Sequence, residues 1–309
     1  MLVLWGADRL TEGASGLARR MNVPEIVIGL TIVAAGTSCP ELFVSVVSAL
    51  NDTPDLAVGN VVGSNVMNTL LIVGITAMVA PMAISRSTVS KDIPFTVGAS
   101  ILLALLCLDG FSSLSIAGNM ISRLDGIILL AGFAAFMAYT LNVARKGGVE
   151  PNDDEASAKP MAVWKGLLYV ILGLVGLVVG SNVFVDSATA VAEELGVSQS
   201  IIGLTIVAGG TSLPELATSV VAARKGQSAI AIGNVIGSNV FNILMILGLT
   251  ATICPMQIGG ITIVDMAVML ISVLLLWLFS FTKLTVEKWE GAVLTLCYVA
   301  YMGWLFYNI

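Results

Sequence analysis

Forty-seven residues of this chain are written twice. Shifting Ile28–Gly74 by 174 positions lays it on Ile202–Gly248 without a gap, and 29 of the 47 positions are identical. IGLTIVAAGTSCPEL returns as IGLTIVAGGTSLPEL, and GNVVGSNVMNTLLIVG returns as GNVIGSNVFNILMILG. A repeat of this length means that two copies of one supersecondary unit complete each other's core, which excludes most single-domain folds at once.

The medium those units fold in is lipid. The 309 residues are 57% hydrophobic and 11% charged, with a mean hydropathy of +0.98, too little polar surface for a soluble domain of that length. A bilayer core takes about 20 apolar helical residues per crossing. The first half offers such segments at Met1–Ala18 (incomplete), Pro24–Leu50, Asp55–Val79, Ile93–Cys107 and Leu124–Val143. The second offers Met161–Val185, Gln199–Ala223, Ser228–Ile253, Val264–Phe281 and Glu290–Tyr307. The runs are helix-length and lack the alternating ten-residue pattern of a membrane barrel. They predict an all-α, polytopic bundle of about ten helices: a first five-helix repeat over 1–144, a linker over 145–160 and a second repeat over 161–309.

Five crossings is an odd number, so the second repeat enters the membrane from the opposite side and the repeats are inverted, an arrangement typical of secondary transporters. The basic residues agree, because Lys and Arg concentrate in cytoplasmic links. With the first helix ending inside, all of them except Arg123 are cytoplasmic. Arg19 and Arg20 are matched in the second half by Glu193 and Glu194, the sign change that inversion requires. The expectation is a multi-pass protein of the cell (inner) membrane with the linker inside and both termini outside. Because Met161 has its counterpart about a dozen residues before Met1, an N-terminal extension is also expected.

Several function classes fall away. A net charge of -6 and a pI near 4.6 leave no nucleic-acid footprint. Met1–Trp5 has no basic flank of a cleaved signal. The linker GGVEPNDDEASAKP has the composition of a solvated connector, and Asp153, Asp154 and Glu155 lack the spacing of an EF-hand. Cys39, Cys107, Cys254 and Cys297 show no CxxC spacing and predict buried thiols. No catalytic set or bound cofactor is assigned, and no obligatory protein partner is evident. There is no histidine, which turns the choice of cation toward hard ions that prefer oxygen.

Two carboxylates, Glu41 and Glu215, stand in the middle of apolar segments, where an ionised side chain costs about 2.5–3.5 kcal/mol or more. Each follows a Gly-Thr-Ser-x-Pro run. Pro40 and Pro214 have no N–H for the carbonyls of Gly36 and Gly210, so each helix breaks just before its glutamate. Irregular backbone at membrane depth is tolerated only where it is buried in protein or lines a cavity. Thr37 and Ser38 lie one turn before Glu41 and Ser45 one turn after; Thr211, Ser212 and Ser219 do the same around Glu215. On the next helices Asn60, Ser64 and Asn68 recur every four residues, matched by Asn234, Ser238 and Asn242. Asn65 and Asn239 point off that face and predict helix contacts. The glycines at 59, 63, 233 and 237 read as close-packing positions. Calcium takes 6 to 8 oxygen ligands at about 2.3–2.6 Å, and two glutamates neutralise one such ion.

These paired GTSxPEL and GNxxGSNxxN motifs resemble the alpha-repeats of the calcium/cation antiporter superfamily, in its prokaryotic sodium/calcium exchanger branch. The resemblance covers nearly the whole chain. It implies an antiport cycle with ligands at Glu41, Glu215, Thr37, Ser38, Ser64, Asn68, Thr211, Ser212 and Ser238, and backbone carbonyls around Ala34 and Ala208. Asn242 departs from the pattern, since many sodium/calcium exchangers carry Asp there. The function expected is calcium exchanged for sodium by alternating access. Calcium/proton exchange stands as the alternative, with a potassium-dependent exchanger or a cation channel behind it. The partners implied are calcium, sodium and the bilayer.

Overall fold

The computed structural model describes residues 1–107, 120–146, 161–195, 208–258 and 261–307. Ten helices follow one another in them: α1 (Leu2–Met21), α2 (Glu25–Thr37 continued by Cys39–Leu50), α3 (Pro54–Val79), α4 (Thr88–Cys107) and α5 (Arg123–Lys146), then α6 (Val163–Glu194), α7 (described over Ala208–Thr211 and Leu213–Arg224), α8 (Ser228–Ile253), α9 (Ile263–Ser280) and α10 (Lys288–Tyr307). Among the described residues, six single helices are long and apolar enough to cross a membrane, and the bent α2 makes a seventh. The protein is therefore an all-α membrane protein of two inverted five-helix repeats. Of the linker expected over 145–160, Arg145 and Lys146 form the end of α5, and residues 147–160 with their acidic side chains lie outside the described residues, as do residues 196–207.

The helices divide into a lining and a shell. About nine-tenths of α8's apolar window (94%) is buried within the protein, and 78% of that of α3, whereas α5 buries 17% of its own. A helix apolar all round but little buried meets lipid, so α5 and its like form the outer shell. Of the six helices long and apolar enough to span alone, the two most buried are the ones that carry the repeated Asn and Ser positions.

Close approach at the centre rests on absent side chains. A Cβ at Gly237 on α8 would lie 2.7 Å from the Ala34 Cβ and from the Leu30 carbonyl on α2. That approach sets the first repeat's broken helix directly against the second repeat's α8, in the manner of small-residue helix packing. For Gly63, the symmetry mate of Gly237, the corresponding partner segment lies outside the described residues.

Short strands outside the helices tie the repeats together. β1 (Met82–Ala83), between α3 and α4, pairs antiparallel with β4 (Thr285–Val286), between α9 and α10. β2 (Met120–Ile121), before α5, pairs with β3 (Met256–Gln257), between α8 and α9. Each pairing joins a link of one repeat to a link of the other, as inverted topology demands.

Two expectations need correction. Helix α4 starts at Thr88 instead of Ile93, through a π-helical turn over Thr88–Asp92, and this draws Asp92 into the bundle, 3% exposed. Asp92 accepts a hydrogen bond from Tyr139 Oη at 2.8 Å, and Asp265 at the start of α9 accepts one from Tyr301 at 2.7 Å. Asp92, Asp265 and Glu290 are buried near helix starts, where capping and tyrosine hydroxyls satisfy them in part. The cysteines were expected to be buried, but only Cys107 is fully so; Cys39 and Cys297 are exposed. A cysteine beside apolar residues in sequence can still lie on the outer face of its helix, so apolar neighbours do not imply burial.

Candidate ion-binding site

Helix α2 breaks where the proline requires it. Its two parts meet at Ser38 (φ −83°, ψ 8°) with a bend of 46°, and Ser212 breaks α7 at the same point of the repeat (φ −91°, ψ 5°). Pro40 and Pro214 occupy the first turn of the second part of each helix, the one place in a helix where a missing N–H is harmless. Glu41 and Glu215 follow in that turn, near the positive end of the half-helix dipole, which favours a carboxylate there. Each is 1% exposed.

The hydroxyls cross over. Ser38 Oγ donates to Glu215 Oε1 at 3.1 Å, and Ser212 Oγ donates to Glu41 Oε1 at 3.3 Å. Each serine serves the glutamate of the other repeat, so the two carboxylates share one interface. No ion pair involving either glutamate occurs among the described residues. Helices α3 and α8 complete the arrangement, with Ser64, Asn68, Ser238 and Asn242 all buried. Asn68 and Asn242 lie in π-helical turns, Met67–Ile72 and Phe241–Leu247. Single turns of this wider helix cluster at functional sites and are not visible in the spacing of residues.

What these groups leave unsatisfied is the most informative feature. Five of the twelve buried side-chain polar atoms without a hydrogen-bond partner among the described residues are Glu41 Oε2, Glu215 Oε2, Asn68 Oδ1, Asn242 Oδ1 and Ser238 Oγ. An unmatched buried polar atom costs about 1–3 kcal/mol, and more when charged. Concentrated at symmetry-related places, such oxygens match the donor set of a hard cation.

Other expected residues take supporting places. Thr37 Oγ1 stands 3.1 Å from both the Val33 carbonyl and Asn234 Oδ1, to either of which it can donate. The Ala34 carbonyl accepts from Ser38 N–H at 3.0 Å and stands 3.3 Å from Thr37 Oγ1. Thr211 is half-buried in the matching position on α7. Ala208 begins the described part of that helix, and the side chain of Ala208 lies outside the described residues. Asn60 Nδ2 donates to the Glu41 carbonyl and to Ser45 Oγ, at 3.1 and 3.0 Å; Asn234 Nδ2 repeats this with the Glu215 carbonyl and Ser219, at 3.3 and 3.0 Å. Asn60, Asn234, Ser45 and Ser219 therefore clamp the broken helices to their neighbours. The Cys39 thiol is exposed and donates to the Ala35 carbonyl at 3.3 Å, so the buried donors of the site are all oxygens. Among the described residues no group of three or more Asp, Glu, Cys or His could hold a metal, which makes hydroxyl and amide oxygens indispensable to any ion held here.

Two buried carboxylates among neutral oxygens, one of each pair supplied by either of two inverted repeats within a membrane bundle, match what a cation transporter of the inverted-repeat class needs. The comparisons with known proteins carry this to the family: the chain belongs to the sodium/calcium exchanger protein family, whose profile matches residues 1–142 and 165–307. It is 38% identical to a putative antiporter, CaxA, of Alkalimonas amylolytica, over 99% of this chain and 96% of that one. It is 37% identical to the inner membrane protein YrbG of Escherichia coli (strain K12), over 84% of this chain and 78% of that one. Among solved structures it resembles the sodium-calcium exchanger NCX_Mj soaked with sodium and calcium, with a TM-score of 0.81 and 32% identity over 98% of this chain and 94% of that chain. The function class is accordingly transport of cations across a membrane by antiport.

Proposed function

We propose that the protein exchanges calcium for sodium by alternating access, with the ions held between the repeats by Glu41 and Glu215. The remaining ligands in this reading are Thr37, Ser38, Ser64, Asn68, Thr211, Ser212, Ser238 and Asn242, with the backbone carbonyls of Ala34 and Ala208. One observation carries it: the unmatched oxygens of Glu41, Glu215, Asn68, Asn242 and Ser238 at the repeat interface. Two carboxylates balance one calcium ion, and neutral oxygens supply the rest of its shell. The same oxygens suit sodium, and competition for the shared carboxylates obliges one ion to leave before the other binds, which makes the flux an exchange. The functional divisions are the repeats over 1–144 and 161–309, with the linker over 145–160 cytoplasmic and both termini outside, an orientation supported by the distribution of Lys and Arg. The host membrane in this reading is the cell (inner) membrane, the location in the name of the Escherichia coli relative.

Calcium uptake into proteoliposomes under an imposed sodium gradient, then a pH gradient, then neither, tests the coupling. Uptake driven by sodium alone is expected. Uptake driven by the pH gradient and indifferent to sodium would move the assignment to calcium/proton exchange, and fast uptake without any counter-ion gradient would indicate a channel.

A further inference from the structure

An asparagine amide is nearly symmetric in shape, so a site that uses its carbonyl oxygen must also dictate which end faces inward. Asn68 and Asn242 are held from behind. Asn68 Nδ2 donates to Asn239 Oδ1 at 3.2 Å, and Asn242 Nδ2 donates to Asn65 Oδ1 at 3.3 Å. Both bonds cross between the repeats, and in both the carbonyl oxygen left over is one of the unmatched atoms of the site. Asn239 is anchored in turn, with its own Nδ2 2.8 Å from Thr69 Oγ1, to which it donates. Asn65 Nδ2 faces Met269 Sδ at 4.0 Å, a group that can only accept. The two anchors differ because the counterpart of Thr69 in the second repeat is Ile243, which has no hydroxyl. All four asparagines and Thr69 are buried.

We propose that Asn65 and Asn239 are positioning residues for the transported cation, locking the amides of Asn242 and Asn68 so that oxygen, and not NH2, faces the ion. The inference rests on the reading of this site as the calcium site. A reversed Asn68 would set its carbonyl against that of Asn239 and turn a positively polarised NH2 group onto the cation. Either contact is repulsive, so the correct orientation is imposed twice. Asn65 and Asn239 therefore act through the neighbouring amide and touch no ion, which gives them a signature that a packing role lacks.

That signature is coupling. In proteoliposomes of the full-length protein, Asn239→Leu should raise the KM for calcium about ten-fold, because one ligand is lost or reversed. The double variant Asn239→Leu/Asn68→Ala should have the KM of Asn68→Ala alone, while Asn239→Leu combined with Asn242→Ala should show multiplied effects. If Asn239→Leu does not fold, Thr69→Val removes the outer anchor at a distance from the ion, and a KM raised about three-fold is expected, again abolished in the Asn68→Ala background. An unchanged KM, or effects of positions 239 and 68 that multiply in full, would overturn the proposal. Wild-type protein run beside the variants separates the two readings: saturable wild-type uptake with an indifferent Asn239 sinks only the positioning role, whereas absent wild-type uptake takes the calcium site with it.

Discussion

At the scale of single residues, the site is a set of buried oxygens, several of them without a hydrogen-bond partner. Ser38 and Ser212 each spend their hydroxyl proton on the glutamate of the opposite repeat, so each carboxylate keeps one oxygen bound and one open. A hydrogen bond to a charged group contributes about 1.5–3 kcal/mol. Ser38→Ala and Ser212→Ala should therefore each weaken calcium affinity about ten-fold or more, by equal amounts, as read by saturation of calcium uptake. A large loss from one and none from the other would break the equivalence of the two carboxylates. The glutamates, the serines and the repeated amides were legible in the sequence, because a carboxylate in the middle of an apolar run needs a cause. The crossing of the serines was not, since spacing along a helix places Ser38 beside Glu41 and cannot show that a second helix comes nearer.

At the scale of helices, the break in α2 and α7 governs where the carboxylates sit. The Gly-Thr-Ser-x-Pro run predicts it, and the bend of 46° at Ser38 follows. Pro40→Ala restores an N–H to the Gly36 carbonyl and lets α2 straighten, which would carry Glu41 away from Ser212. The expected outcome is a more heat-stable protein with calcium uptake reduced at least about ten-fold; unchanged uptake would mean that the break does not position the glutamate. The π-helical turns at Thr88–Asp92, Met67–Ile72 and Phe241–Leu247 escaped the sequence reading, because one additional residue per turn leaves hydropathy unchanged. Their consequences are concrete: one draws Asp92 inward to Tyr139, and the other two hold Asn68 and Asn242. Asn65 and Asn239 were correctly read as helix contacts, but the identity of the groups they contact needed coordinates.

The whole molecule is two copies of one unit set in opposite senses, and that was the most legible feature, since an odd number of crossings leaves no other solution. Its test lies in the links. Residues directly opposite in antiparallel strands have Cα atoms about 4.5–5.5 Å apart, within the roughly 4.4–6.8 Å span of a disulfide. Cysteines replacing Met120 and Gln257 should cross-link on oxidation, and so should a pair replacing Ala83 and Thr285. Cysteine at Met120 with cysteine at Thr285 should not, because the bilayer separates them. A cross-link in that last pair would contradict inverted topology.

The claim on which the others depend is that Glu41 and Glu215 hold a cation together. Equilibrium binding of calcium to purified protein, with Glu41→Gln and Glu215→Gln beside the wild type and sodium added as competitor, tests it most directly. The account predicts saturable binding by the wild type that sodium displaces, and loss of that binding in both variants although each remains folded. Calcium bound with wild-type affinity by either variant would contradict it.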